Sequence, residues 1–151
     1  MNLREYKNNY LPVFKLLKTL SPLQIAFKPA YNKWSIHEII THLADTEVQS
    51  HVRFRTMLAN KNPLLIYFDE MDWSIILDYS KVDLSESIKV IKLMRKVNYK
   101  LLSRLAAADF SKKGIHSVRG ELSLAEMVRF YIQHVNNHLE QINRNLTALH
   151  L

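Results

Sequence analysis

His134 and His138 stand four residues apart. On a helix that spacing stacks two imidazoles on one face, where they can hold a single ion. Leu124, Val128, Tyr131, Val135, Ile142, Leu146 and Leu149 recur around them at helical intervals. On a wheel of about 100° per residue His138 falls inside this apolar stripe and His134 at its flank. A buried ring nitrogen left unpaired costs about 1–3 kcal/mol. A shared metal would give each ring a partner, and so would hydrogen bonds to interior neighbours; the spacing leaves both open. Periodicity does not choose a third ligand. His42 lies one helical step beyond Ile39, off the centre of the Ile36/Ile40/Leu43 stripe, and a wheel does not prefer it to His37 or His51. His51 is expected to face inward with Glu47, which fits an internal hydrogen bond equally well.

Arg95 falls in an apolar stripe with Leu84, Ile88, Ile91 and Leu102. A buried guanidinium needs an anion. That anion is either substrate charge, which would make Arg95 a catalytic clamp, or an internal carboxylate such as Glu47 or Glu140. Glu38 and Asp45 lie one turn before and after His42, where either can accept the second ring N–H of a ligand or simply face solvent. His116 and Arg119 sit in the only Gly-containing segment, as lining of a site mouth or as ordinary loop polarity.

These residues need elements to position them, and composition limits the choice. The chain has 151 residues, enough for one domain, 1–151, with a continuous core. Two Gly and four Pro are scarce punctuation for short strands and tight turns, so long helices are expected. Without Cys there are no disulfides, thiolate metal sites or protein thiol nucleophile. The charge pair Arg4-Glu5 interrupts the place of a signal-peptide core, and no apolar run reaches membrane-spanning length. A cytoplasmic location and no membrane contact are the expectation. Part of the net charge of +7 lies on one helical face as Lys89, Lys92, Lys96 and Lys100. With Tyr99 the only aromatic nearby, this reads as a solvated face rather than a nucleic-acid surface.

A first helix is expected over about Leu3–Leu20, kinked or restarted at Pro12, followed by a short start at Ser21-Pro22-Leu23-Gln24. Ser35-Ile36-His37-Glu38 is a capping box opening a second helix to about Ala59. A crossover follows from Pro63 to Ser80, with Asp69-Glu70 opening a short helix. The third helix runs from Asp83 to about Leu105, Ser111–Leu122 reads as a loop, and Ser123-Leu124-Ala125-Glu126 caps a fourth helix to about Leu149. The fold class is all-α, a four-helix bundle with a long crossover between helices 2 and 3, whose ligand sites face the central axis.

The run Trp34-Ser35-Ile36-His37-Glu38-Ile39-Ile40-Thr41-His42-Leu43-Ala44-Asp45 resembles the W-S-x-x-E-x-x-x-H-L-x-D signature that opens the second helix of the DinB-like family. His116 to Gly120, Leu122-Ser123-Leu124 and His134-Val135-Asn136-Asn137-His138-Leu139-Glu140-Gln141-Ile142 resemble its closing pattern, H, G, a Thr/Ser-Leu start and H-x-x-x-H-x-x-Q-I. Phe68-Asp69-Glu70 and Trp73 resemble its crossover. The resemblance implies a four-helix bundle holding one divalent metal by three histidines, here His42, His134 and His138. Imidazole ligands suit Zn, Ni, Fe or Cu, and ligand type alone does not choose among them; Zn or Ni is the expectation, with Fe next. It also implies an enzyme acting on a small-molecule substrate. Some members are S-transferases that use a low-molecular-weight thiol such as bacillithiol or mycothiol; others are related isomerases, and many are described as metal-dependent hydrolases. A homodimer is a further implication of the family. The competing expectation is a non-catalytic, stress-related bundle that binds nucleic acid or a protein partner through its basic face.

Overall fold

A computed structural model describes residues 2–149; Met1, His150 and Leu151 lie outside the described residues. The first helix is broken in two, α1 (Leu3–Asn8) and α2 (Leu11–Leu17). The break precedes Pro12, which has no N–H to return to the carbonyl of Asn8. A short α3 (Pro22–Ala26) follows, opened by reciprocal Ser21/Gln24 bonds. The long α4 (Ile36–Ala59) starts at Ser35, whose hydroxyl accepts from the Glu38 N–H while the Glu38 carboxylate accepts from the Ser35 N–H. Two further long helices, α6 (Leu84–Leu102) and α7 (Leu124–Leu149), complete the bundle, and α5 (Glu70–Ile76) lies in the crossover. Asp83 caps α6, which ends at Leu102, one turn before the expected Leu105. Ser123 and Glu126 exchange the bonds of a capping box at the start of α7.

The segment expected as a loop, Ser111–Leu122, is instead mostly a hairpin. Strands β2 (Lys113–His116) and β3 (Gly120–Ser123) pair antiparallel, and β1 (Leu64–Leu65) from the crossover joins β2 in parallel. Leu64 stands opposite Ile115 and Leu65 opposite His116. Gly120, at φ 75°, takes the left-handed conformation that closes the turn. At Gly114 a Cβ would lie 3.0 Å from Leu65 Cδ1 and 3.2 Å from Met57 Cγ, so any side chain there would have to displace both. Alternation along β2 buries Gly114 and His116 and exposes Lys113 and Ile115.

The core has two apolar parts. One gathers Val13, Phe14, Trp34, Ile39, Ile91 and Val135; the other Tyr6, Phe54, Met57, Leu102 and Val128. Along α4 the residues between them are buried and polar: Thr46, Glu47, Ser50 and Arg53. Each must find partners in the interior. Arg95, fully buried on α6, supplies one, with its Nη2 2.6 Å from Glu47 Oε1. Its guanidinium also donates to the carbonyls of Tyr6 and Tyr131 and to Asn9 Oδ1. Arg95 therefore makes the internal ion pair with Glu47 that its stripe position allowed.

Candidate metal centre

His42, seven residues beyond the cap of α4, is fully buried and points toward α7. There His134 and His138 occupy successive turns of one face. His134 Nε2 lies 3.1 Å from His42 Nε2 and 3.1 Å from His138 Nε2. The three are the set of His, Asp or Glu residues, among those described, whose ligand atoms all lie within 4.8 Å of one another. Trp34 roofs them, its ring 4.8 Å from that of His42 and 6.2 Å from that of His138. Phe130 stacks on His134 at 5.7 Å.

Burial makes all three rings poor bases. Desolvation, then the nearby His138, pushes His42 down to about 3. Desolvation also pushes His138 down to about 4, against a small opposing effect of Gln141. His134 is held well below the ordinary imidazole value by burial, then by His138 and His42. The rings are thus neutral at pH 7, the form that ligates metal.

A metal fits this arrangement better than hydrogen bonding does. One imidazole nitrogen carries either one hydrogen or one lone pair, so His134 Nε2 cannot satisfy both neighbours with well-directed bonds. Three lone pairs converging on one cation leave no such conflict. Tetrahedral bonds of about 2.0–2.1 Å place donor atoms about 3.3 Å apart, close to the 3.1 Å that separates His134 Nε2 from each of the other two. With Nε2 as the ligand atom the proton sits on Nδ1, and His138 Nδ1 is 2.9 Å from Gln141 Oε1, an acceptor that fixes the tautomer and the ring. The Nδ1 atoms of His42 and His134 are buried with no hydrogen-bond partner among the described residues.

The carboxylates expected near His42 are engaged elsewhere. Glu38 pairs with Lys28 at 2.6 Å as well as capping α4, and Asp45 accepts from the Tyr79 hydroxyl. His51 turns to Asn98 at 3.1 Å rather than to Glu47. The acid that does reach the triad is Glu70, at the first position of α5, with Oε2 3.4 Å from His42 Nε2. Burial, then Asp69, raises its pKa, while Arg119 lowers it. In the sequence Glu70 reads as helix-start chemistry and as part of the family-like crossover; its contact with His42 depends on how that crossover folds back.

A pocket of about 420 Å³ opens beside the triad, within the range of small-molecule sites. Glu70, His134 and His138 line one part of it, and Phe68, Phe130 and Tyr67 supply aromatic wall. His116 also lines it, nearly buried, with Nδ1 accepting from the Val118 N–H at 3.2 Å. Arg119 is on the same wall, so both loop residues expected at a site mouth border this pocket. Arg53, which the sequence did not single out, borders it as well.

A family model described as DinB superfamily matches residues 12–142. A protein of Oceanobacillus iheyensis is 27% identical over 109 residues, 72% of this chain and 63% of its own length. Proteins of Bacillus cereus and Bacillus thuringiensis subsp. konkukian are each 27% identical over 128 residues, 85% of this chain and 73% of theirs. All three carry the name "Putative metal-dependent hydrolase". This chain thus spans less than two thirds of the first of these relatives. The solved structure of YfiT from Bacillus subtilis, described as "a probable metal-dependent hydrolase with an unusual four-helix bundle topology", matches with a TM-score of 0.90 at 20% identity. The match covers 97% of this chain and 85% of that one, and at this identity it shows the shared fold.

Proposed function

The chain belongs to the DinB superfamily, and we propose that it is a metal-dependent hydrolase in which His42, His134 and His138 hold one divalent ion. The observation that carries the reading is the convergence of three neutral Nε2 atoms beside a carboxylate at the wall of a pocket. Three imidazoles leave coordination positions free for substrate and suit Zn or Ni, with Fe next. When bound, the ion would supply Lewis acidity and lower the pKa of a ligating oxygen or sulfur toward neutrality.

Glu70 is the proton acceptor in this reading. It adjoins His42 alone and is not among the mutually close ligand atoms, which suits a base better than a fourth ligand. Its raised pKa moves it toward the range in which a carboxylate both takes and returns a proton. Trp34 and Phe130 pack against the imidazoles and keep water from their faces. Gln141 orients His138. The names carried by the relatives support water as the nucleophile over a small thiol such as bacillithiol.

The test compares metal-reconstituted wild type with Glu70→Gln on a panel of activated esters and amides, with and without added low-molecular-weight thiol. Thiol-independent turnover is expected, falling about 10²–10⁴-fold in Glu70→Gln with the metal retained. Turnover that requires the thiol would replace hydrolysis by S-transfer. Loss of metal from Glu70→Gln would make Glu70 a ligand rather than a base.

A further inference from the structure

Among the described residues two arginines are buried, and one of them has a counter-ion. Arg95 has Glu47. Arg53, only 6% exposed, donates to the Tyr131 hydroxyl at 3.0 Å and to the carbonyl of Ile66 at 2.7 Å, both neutral. Its Nε is buried with no partner, and among the described residues no carboxylate lies within ion-pair reach of it. A buried, uncompensated guanidinium is costly, and an anion is what relieves the cost.

Arg53 borders the pocket beside the triad, and so does Arg119. Arg119 too has no carboxylate within ion-pair reach among the described residues. Its guanidinium sits 4.4 Å over the ring of Phe130, which leaves its edge free to bind. Both arginines act on His116, whose pKa is lowered by burial first and then by Arg53 and Arg119. The pocket therefore holds Glu70 and two of the imidazoles together with two cations gathered around His116, of which Arg119 also acts on Glu70.

We propose that Arg53 and Arg119 form a receptor for the carboxylate of a small, partly apolar substrate, holding it so that its reacting group faces the triad. The proposal rests on the reading of the triad as the reactive centre. A carboxylate is favoured over a phosphate because one singly charged group neutralises the one buried, unpaired charge. Two of the Arg53 nitrogens are also already engaged with Tyr131 and Ile66. Tyr67, Phe68 and Phe130 in the walls suit an aromatic or similarly flat body.

The test is a calorimetric titration of the full, metal-free chain, so that a carboxylate cannot bind through a metal. Benzoate, benzamide and phenyl phosphate are the probes. Benzoate is expected to bind, with benzamide at least tenfold weaker and phenyl phosphate no tighter. Arg119→Gln and Arg53→Gln are each expected to weaken benzoate at least tenfold and leave benzamide unchanged. Arg119 is exposed, so Arg119→Gln decides the matter if Arg53→Gln does not fold. Equal binding of benzoate and benzamide, no benzoate binding by folded wild type, or unchanged benzoate affinity in Arg119→Gln would overturn the proposal. Tighter phenyl phosphate binding would overturn the carboxylate assignment. Metal uptake is measured separately on the same preparation, so failure of the metal reading and failure of the anion receptor give different results.

Discussion

Arg95 and Glu47 pair in the interior, neither more than 1% exposed, and Tyr6, Asn9, Ser50 and Asn98 are gathered around them. Ser50 and Tyr6 contact the Glu47 carboxylate at 3.3 and 3.5 Å, and Asn98 bonds to both of those hydroxyls. Desolvation raises the pKa of Glu47, and Arg95 opposes that rise. Glu47→Ala would leave the guanidinium uncompensated and should destabilise the protein by about 3–5 kcal/mol. Replacing both, as Glu47→Leu with Arg95→Met, should recover most of that loss. Urea unfolding at pH 7 checks both, and a loss below about 1 kcal/mol in Glu47→Ala would contradict the assignment.

At the scale of elements, the caps decide where the ligands fall. The Ser35 bonds start α4 and so fix the turn on which His42 sits. Ser35→Ala should cost about 1 kcal/mol of stability, yet leave metal stoichiometry unchanged at saturating metal, since the helix remains held by its packing. Losing both together would show that the cap itself shapes the site. Such caps are local, which is why Ser35, Asp69, Asp83 and Ser123 were legible in the sequence as helix starts. The small sheet was not, because β1 meets β2 across segments far apart in the chain, and the two hairpin strands, at four residues each, are too short to show a period. His42 escaped periodicity for another reason: from Ile36 to Ala44 only His37 is not buried, so a wheel has no polar side against which to rank it. The family signature supplied what the pattern lacked. Glu70 and Arg53 had no local signal, since their roles come from contacts between elements.

Across the whole molecule, three rings from two helices share one low-dielectric site, and this couples stability to pH. The unfolded chain protonates each histidine near 6.5, whereas burial holds His42 at about 3 and His138 at about 4, with His134 also well below. Between those values the unfolded state binds more protons. The contribution is therefore fully present above about 6.5 and lost as pH falls toward about 3–4, at about 1.4 kcal/mol per pH unit for each proton. Urea midpoints of metal-free protein should drop from pH 7 to 5, and more steeply than in His134→Ala/His138→Ala; parallel profiles would contradict this. The basic face behaves differently. Lys89, Lys92, Lys96 and Lys100 are exposed on α6, with Lys89 paired to Glu86 at 2.8 Å and Lys92 lying over Phe14. No helix among the described residues is long and apolar enough to cross a membrane.

Elemental analysis of untagged protein, beside the His134→Ala/His138→Ala variant, tests the central claim most directly. About one equivalent of Zn, Ni or Fe in wild type, absent from a folded variant, is the predicted result. Wild type that carries no metal and takes none up on reconstitution would contradict the account and leave the three histidines a structural cluster.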